Sequence, residues 1–121
     1  MLYAIFCYDD EAVTCAWSKD KDAEVMASLG AVQDKLAAEH RLGPVARLMP
    51  TSTATTIRKG KVPVVMDGPF AETKEQLLGF YIVDCADLDA AIATAKELAI
   101  ASGSAGAFEL RPLMLFRPGG A

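Results

Sequence analysis

The stretch LYAIFCY, residues 2–8, is rich in aromatic and β-favouring residues and predicts a β-strand. Successive side chains of a strand point to opposite faces of a sheet, and here both sets are apolar. Leu2, Ala4 and Phe6 fall on one side, and Tyr3 and Ile5 fall on the other. The stretch LLGFYIV, residues 77–83, repeats the pattern. A half-exposed strand alternates apolar and polar residues, so this sheet is predicted to be covered on both faces.

The rest of the chain supplies two helices and further strands. Helices are predicted at about residues 18–41, ended by Gly43 and Pro44, and at residues 87–101, capped by Asp87. Residues 9–18 are expected to form a loop or a frayed turn. Short strands are predicted near residues 45–50, up to Arg58, back from a turn at Gly60, and at 106–116. With the number of short middle strands left open, the order β-α-β-β-β-α-β predicts an α+β, ferredoxin-like fold, an antiparallel sheet with two helices on one face.

Two helices on one face leave the other face of this sheet without a cover. A soluble monomer seldom exposes an apolar patch of more than a few hundred Å². Each large side chain left in water forgoes roughly 1.5–3 kcal/mol. The sequence therefore predicts a homodimer whose two sheets pack face to face, with a cleft at the join.

Length, charge and cysteine content exclude several classes of protein. The 121 residues are expected to form one domain, residues 1–121, and no apolar run is long enough to cross a bilayer. A net charge of −4 argues against nucleic-acid binding. The three cysteines have neither metal nor redox spacing and fit a reducing cytoplasm, and the N-terminus lacks the features of a signal peptide. No cofactor motif and no metal-ligand cluster is visible in the sequence.

A dense patch of charge lies in VVMDGPFAETKEQLLGFY, residues 64–81, between two apolar strands. One interpretation is a solvated turn at Gly68–Pro69, followed by a short helical stub whose capping box is TKEQ, residues 73–76. The other is a pocket in which Asp67, Glu72 and Lys74 act on a ligand, with a partly buried carboxylate as general acid or base. From the chemistry alone the turn is favoured.

Two further polar side chains call for a role. Arg111 lies inside an apolar strand and needs a partner, for which Asp67, Glu109 and a ligand carboxylate are the candidates. His40, the single histidine, is expected to cap the end of the first helix.

The string DGPFAETKE, residues 67–75, resembles the signature of the DGPF family of YCII-related domains. TATTIR (residues 53–58), GFYIVD (79–84) and FELRPL (108–113) extend the resemblance over nearly the whole chain. It implies a ferredoxin-like fold that dimerises into an α/β barrel, and similar barrels house lactone isomerases, dehalogenating enzymes and monooxygenases. The matched positions include Asp67, Gly68, Pro69, Phe70, Glu72, Lys74, Glu75 and Arg111. Some YCII-related proteins are thought to use a His–Asp pair, but His40 does not align with such a histidine.

The sequence and the resemblance together predict a cytoplasmic homodimer that binds a small polar or anionic organic molecule near Asp67. Cofactor-free acid–base chemistry of an isomerase or lyase type is one expectation, and whether the protein is an enzyme is left open. The predicted catalytic residues are Asp67, Glu72, Lys74 and Arg111, and the predicted pocket walls are Tyr8, Phe70 and Tyr81. The alternatives are a regulatory module linked to an extracytoplasmic-function sigma factor, and a purely structural dimer.

Overall fold

The computed structural model describes residues 1–120, which form six strands, three α-helices and one 3₁₀ turn. In chain order these are β1 (Leu2–Asp9), α1 (Glu11–Thr14), α2 (Lys19–Ala38), β2 (Leu42–Arg47), the 3₁₀ turn (Thr51–Thr53), β3 (Thr55–Arg58), β4 (Val64–Asp67), β5 (Gln76–Asp84), α3 (Leu88–Ser102) and β6 (Ala107–Pro112). No helix among residues 1–120 has the length and hydrophobicity that a bilayer span needs.

Four strands form one antiparallel sheet in the order β2-β5-β1-β6, and β3 and β4 form a separate hairpin. The helices α2 and α3 connect non-neighbouring strands of this sheet, which is the ferredoxin-like arrangement. The register brings Ile5 of β1 between Tyr81 of β5 and Leu110 of β6. The predicted α+β fold is therefore confirmed.

The core lies between the two long helices and one face of the sheet. Tyr3, Ile5, Tyr81 and Val83 supply the sheet side. The helices contribute buried apolar residues at helical spacing: Val25, Leu29 and Leu36 from α2, and Ala91, Ala95 and Leu98 from α3. The predicted cap at Asp87 is confirmed, because its carboxylate accepts from the Ala90 N–H at 2.8 Å.

The end of α2 corrects one prediction. The helix stops at Ala38, before Gly43 and Pro44, which belong to β2. His40 turns the chain with a left-handed backbone, φ +58°, and the Arg41 N–H donates to the Leu36 carbonyl at 2.9 Å. His40 thus terminates the helix through its backbone.

Two local predictions were wrong, and a third is refined. Within residues 9–18, predicted as a loop or a frayed turn, the chain forms the one-turn helix α1, because the Asp10 carboxylate caps the Ala12 N–H at 3.0 Å. The last strand ends at Pro112; the Leu113 N–H still donates to the Leu2 carbonyl at 2.9 Å, but residues 113–116 are not part of the strand. Residues 73–76 form no helix, because the Thr73 hydroxyl donates to the Glu75 carbonyl instead of accepting from a backbone N–H.

The face of the sheet opposite the helices carries Ala4, Phe6, Phe80 and Ile82, as the alternation predicts. Ala4 and Ile82 are already buried within one chain. The larger apolar exposure lies on the β3–β4 hairpin, where every residue of β4 is exposed. Val65 alone is 68% exposed. The hairpin is thus a larger uncovered apolar surface than this face of the sheet.

Candidate functional site

A cavity of about 560 Å³ lies between α2 and the sheet, at the end of the sheet where β1 gives way to α1. Its walls are mostly apolar and aromatic, with Trp17, Met26, Leu29, Tyr81 and Phe108 among them. Ligand pockets typically measure about 300–1,000 Å³ and combine apolar walls with a few polar groups. This cavity is the candidate functional site.

Two of the polar groups that line the cavity, Cys7 and Tyr81, are uncharged at neutral pH. Burial raises the pKa of the Cys7 thiol to about 12, so the thiolate is disfavoured. Burial also raises the pKa of the Tyr81 phenol, the nearby Cys7 adds in the same direction, and the Gln33 side chain opposes them. The inner part of the cavity therefore offers a neutral thiol and a neutral phenol.

An ion pair borders the cavity between α2 and β2. Arg47, a lining residue, donates two hydrogen bonds to the Asp22 carboxylate, at 2.7 and 3.3 Å. These bonds lower the pKa of Asp22, and the positive charge of Arg47 adds to the effect. Asp22 therefore offsets the charge that Arg47 brings to the cavity wall.

Glu11 of α1 ties three parts of the chain together at the rim. Its backbone N–H donates to Gln76 Oε1 at 3.0 Å, at the start of β5. Its carboxylate accepts from the Thr51 N–H at 3.0 Å and from the Thr51 hydroxyl. The root of the hairpin and the start of β5 are thus fastened to one residue of the cavity lining.

The charged loop, residues 67–75, leaves from this root. Gly68 has φ +97°, and its N–H donates to the Ala54 carbonyl at 2.8 Å. The Thr56 hydroxyl donates to the Gly68 carbonyl at 2.8 Å. The loop therefore starts beside the 3₁₀ turn that Glu11 holds and returns at Gln76, which the Glu11 N–H also contacts.

The predicted catalytic side chains are spread over the surface of the single chain. Asp67, Glu72 and Lys74 are exposed and are not among the residues that line the cavity. Arg111 lies on β6, and its partner is Glu109 at 3.0 Å, one of the three that the sequence offered. Within one chain the structure does not pair Arg111 with Asp67.

The predicted aromatic walls divide into two groups. Tyr8 and Tyr81 both line the cavity, and Tyr81 is only 6% exposed. Phe70 is 73% exposed and lies outside the lining, with the Arg58 guanidinium 5.2 Å from its ring centre.

The sequence analysis missed Asp9 as a site residue. The residue is 7% exposed although its side chain is acidic, and it lines the cavity. The available signal was an acidic residue directly after an apolar strand. Its burial follows from the close approach of Gly106, because a Cβ there would lie 2.2 Å from the Tyr8 carbonyl oxygen and 3.1 Å from the Asp9 Cα.

A second, more open depression of about 550 Å³ lies beside His40, at the other end of α2. Arg41 dominates it and donates to Thr94 Oγ1 at 2.5 Å, to the Asp84 carbonyl at 3.2 Å and to Glu39 at 3.0 Å. Its polar groups are therefore engaged with one another, which suits a structural role. Residues 1–120 contain no cluster of three side chains suited to hold a metal ion.

Two comparisons place the chain among known proteins. The family model described as the YCII-related domain matches residues 1–117. An uncharacterised protein of Rhizobium meliloti (strain 1021) is 58% identical over 120 residues, which cover 98% of this chain and 97% of that protein.

Proposed function

The chain belongs to the family of YCII-related domains, and we propose that it binds a small organic molecule in the cavity beneath α2, as a homodimer in the cytoplasm. The cavity itself is the observation that carries this proposal. It has the volume of a ligand site, its walls include Trp17, Tyr81 and Phe108, and only Asp9, Glu11 and Arg47 among its lining residues have acidic or strongly basic side chains. The three free thiols, Cys7, Cys15 and Cys85, support the reducing compartment.

Blocking the cavity tests the binding proposal. Met26→Trp places a bulkier side chain in the cavity wall, whereas Met114→Trp makes the same change at a fully exposed position outside the lining. A thermal-shift screen of aryl-alkyl alcohols, amines and carboxylates is expected to yield a binder of the native protein. Met26→Trp should weaken that binder by about tenfold or more, the loss of a well-packed contact, while Met114→Trp leaves it unchanged. Equal binding by both variants contradicts the assignment.

The dimer is supported by the apolar exposure of the hairpin. Val64, Val65 and Met66 are all exposed in succession on β4, a strand that pairs only with β3. Sedimentation at micromolar concentration is expected to give twice the 12.9 kDa of one chain. Val65→Lys should shift the equilibrium to monomer, and Ile100→Lys, at an even more exposed position but on α3, should not. A native protein that sediments as a monomer contradicts the proposal.

Acid–base chemistry at the charged loop is the finer part of the proposal. Asp67 would act as acid or base, assisted by Glu72, and Lys74 and Arg111 would hold the charge of a ligand. Because Asp67 and Arg111 do not meet within one chain, this role depends on the partner protomer or on a ligand that bridges them. Asp67→Asn is expected to abolish turnover of any substrate that the screen identifies, whereas Glu75→Gln, in the same loop, should retain it. Full activity of Asp67→Asn would end the catalytic assignment.

A regulatory module linked to an extracytoplasmic-function sigma factor is the alternative. It rests on the family resemblance and needs neither the cavity nor Asp67. A screen in which no small molecule binds, together with a stable complex between the chain and a sigma factor, would favour it.

A further inference from the structure

Asp9 differs from the other acidic residues of the chain. It is 7% exposed, whereas the carboxylates around it on α1 and the charged loop are at least partly open to water. A carboxylate that is largely removed from water needs hydrogen bonds to stay ionised at low cost. How those bonds are supplied indicates what the cavity can bind.

Only one of the two oxygens of Asp9 has a donor within the described chain. Oδ1 accepts from the Asp10 N–H at 2.7 Å, and no side-chain or backbone donor of residues 1–120 is assigned to Oδ2. Residues 1–120 contain no side-chain oxygen or nitrogen that is both sealed from solvent and without a hydrogen-bond partner. Oδ2 therefore meets solvent, and the space that Asp9 borders is the cavity.

The other charges at the cavity leave Asp9 without a positive partner. The Glu11 carboxylate is occupied by Thr51, and the guanidinium of Arg47 is occupied by Asp22. The inner groups, Cys7 and Tyr81, are neutral. The balance of charge around the cavity is thus negative, and its free acceptor is the second oxygen of Asp9.

We infer that the cavity selects a molecule with an apolar, aromatic-sized body and a protonated primary amine, which donates to Asp9 Oδ2. This inference rests on the proposed binding function and chooses a hydrogen-bond donor over the anionic ligand that the sequence also allowed. An ammonium group would supply the missing donor and the missing positive charge together, which makes the hydrogen bond a strong one. A carboxylate in the same place would face Asp9 at close range and be repelled.

Three probes of nearly equal size test the inference in the native protein: phenethylamine, phenethyl alcohol and phenylacetate, measured by calorimetry at neutral pH. The amine is expected to bind about tenfold more tightly than the alcohol, as a charge-assisted hydrogen bond predicts, and phenylacetate more weakly still. Phenylacetate binding as tightly as the amine would overturn the inference and leave the binding function standing. No binding by any of the three would overturn both.

Asp9→Asn locates the effect. The asparagine oxygen still accepts from the Asp10 N–H, so the variant keeps its local structure, which circular dichroism would verify. The amine should lose its tenfold advantage over the alcohol, while the affinity for the alcohol changes little. Asp10→Asn is the matched control, because it removes the same charge one residue away, outside the cavity lining, and asparagine still caps α1. An unchanged preference in Asp9→Asn, or an equal loss in Asp10→Asn, would refute the role of Asp9.

Discussion

The rate at which Cys7 reacts with an alkylating reagent reports how strongly its buried position in the cavity disfavours the thiolate. Burial raises the pKa of this thiol from the ordinary 9.0 to about 12. The thiolate is the form that reacts with alkylating reagents, and its population at neutral pH falls about tenfold for each unit by which the pKa rises. At neutral pH the thiolate population of Cys7 should therefore be about a thousandfold below that of an ordinary thiol.

Iodoacetamide alkylation followed by peptide mass spectrometry measures this directly. In a Cys15→Ser, Cys85→Ser background, Cys7 is the single thiol and its rate is read without interference. The rate at pH 7.5 should lie about a thousandfold below that of the same protein unfolded in urea, and should keep rising beyond pH 10.

A folded-state rate within tenfold of the unfolded rate would refute the reasoning. It would mean that Cys7 is well hydrated or lies beside a positive charge, and the cavity would then hold an activated thiol instead of a neutral one. Cys7 would in that case become a candidate nucleophile.

The remaining predictions concern stability. Gly106→Ala should lower the free energy of unfolding by about 1–3 kcal/mol, because φ is +96° and the new Cβ meets the Tyr8 carbonyl. Gly30→Ala should raise the free energy of unfolding by about 0.5–1 kcal/mol, because the residue lies within α2 and a Cβ there would have nothing within 4 Å. Urea melts measure both changes. The pKa of Cys7 is higher in the folded than in the unfolded protein, so its contribution to stability is complete below pH 9 and is lost as the pH rises towards 12. The free energy of unfolding of the native protein should therefore fall by about 1 kcal/mol per pH unit in that window, and that of Cys7→Ala should fall less. Equal slopes for the two proteins would contradict this. Arg41→Met should cost about 1–2 kcal/mol through its bond to Thr94 in thermal or urea unfolding, and a neutral effect would show that the bond contributes nothing.

The fold was predictable because its signals are local. The stripe Val25, Leu29, Leu36 faces the core because residues at these spacings share one side of a helix. The apolar side chains on both faces of β1 were likewise predictable, because successive residues of a strand point to opposite faces of the sheet. These periodicities depend on neighbours in the sequence, so they need no knowledge of the rest of the chain.

The boundaries failed where a single contact decided them. Residues 73–76 have the composition of a capping box, but the Thr73 hydroxyl donates to a carbonyl and no helix follows. The helix α2 ends at Ala38 because His40 adopts a left-handed backbone, which glycine or asparagine signals more often than histidine does. Both outcomes depend on side-chain and backbone geometry that composition does not encode.

The candidate site was only partly predictable. Tyr8 and Tyr81 were expected as pocket walls and do line the cavity, whereas Phe70 does not. The motif around Asp67 established the family from sequence, but its residues are exposed in one chain, and its role in a dimer stays a prediction.

The sequence by itself determined the long strands, the two long helices and their order, because periodicity and caps act over a few residues. Only the tertiary structure decided which polar groups face the cavity. Asp9 is buried because β1 runs against Gly106, and Arg47 is neutralised because β2 lies beside Asp22 of α2. Such contacts join distant parts of the chain, so the charge of the site emerges only when the sheet and the helices pack together.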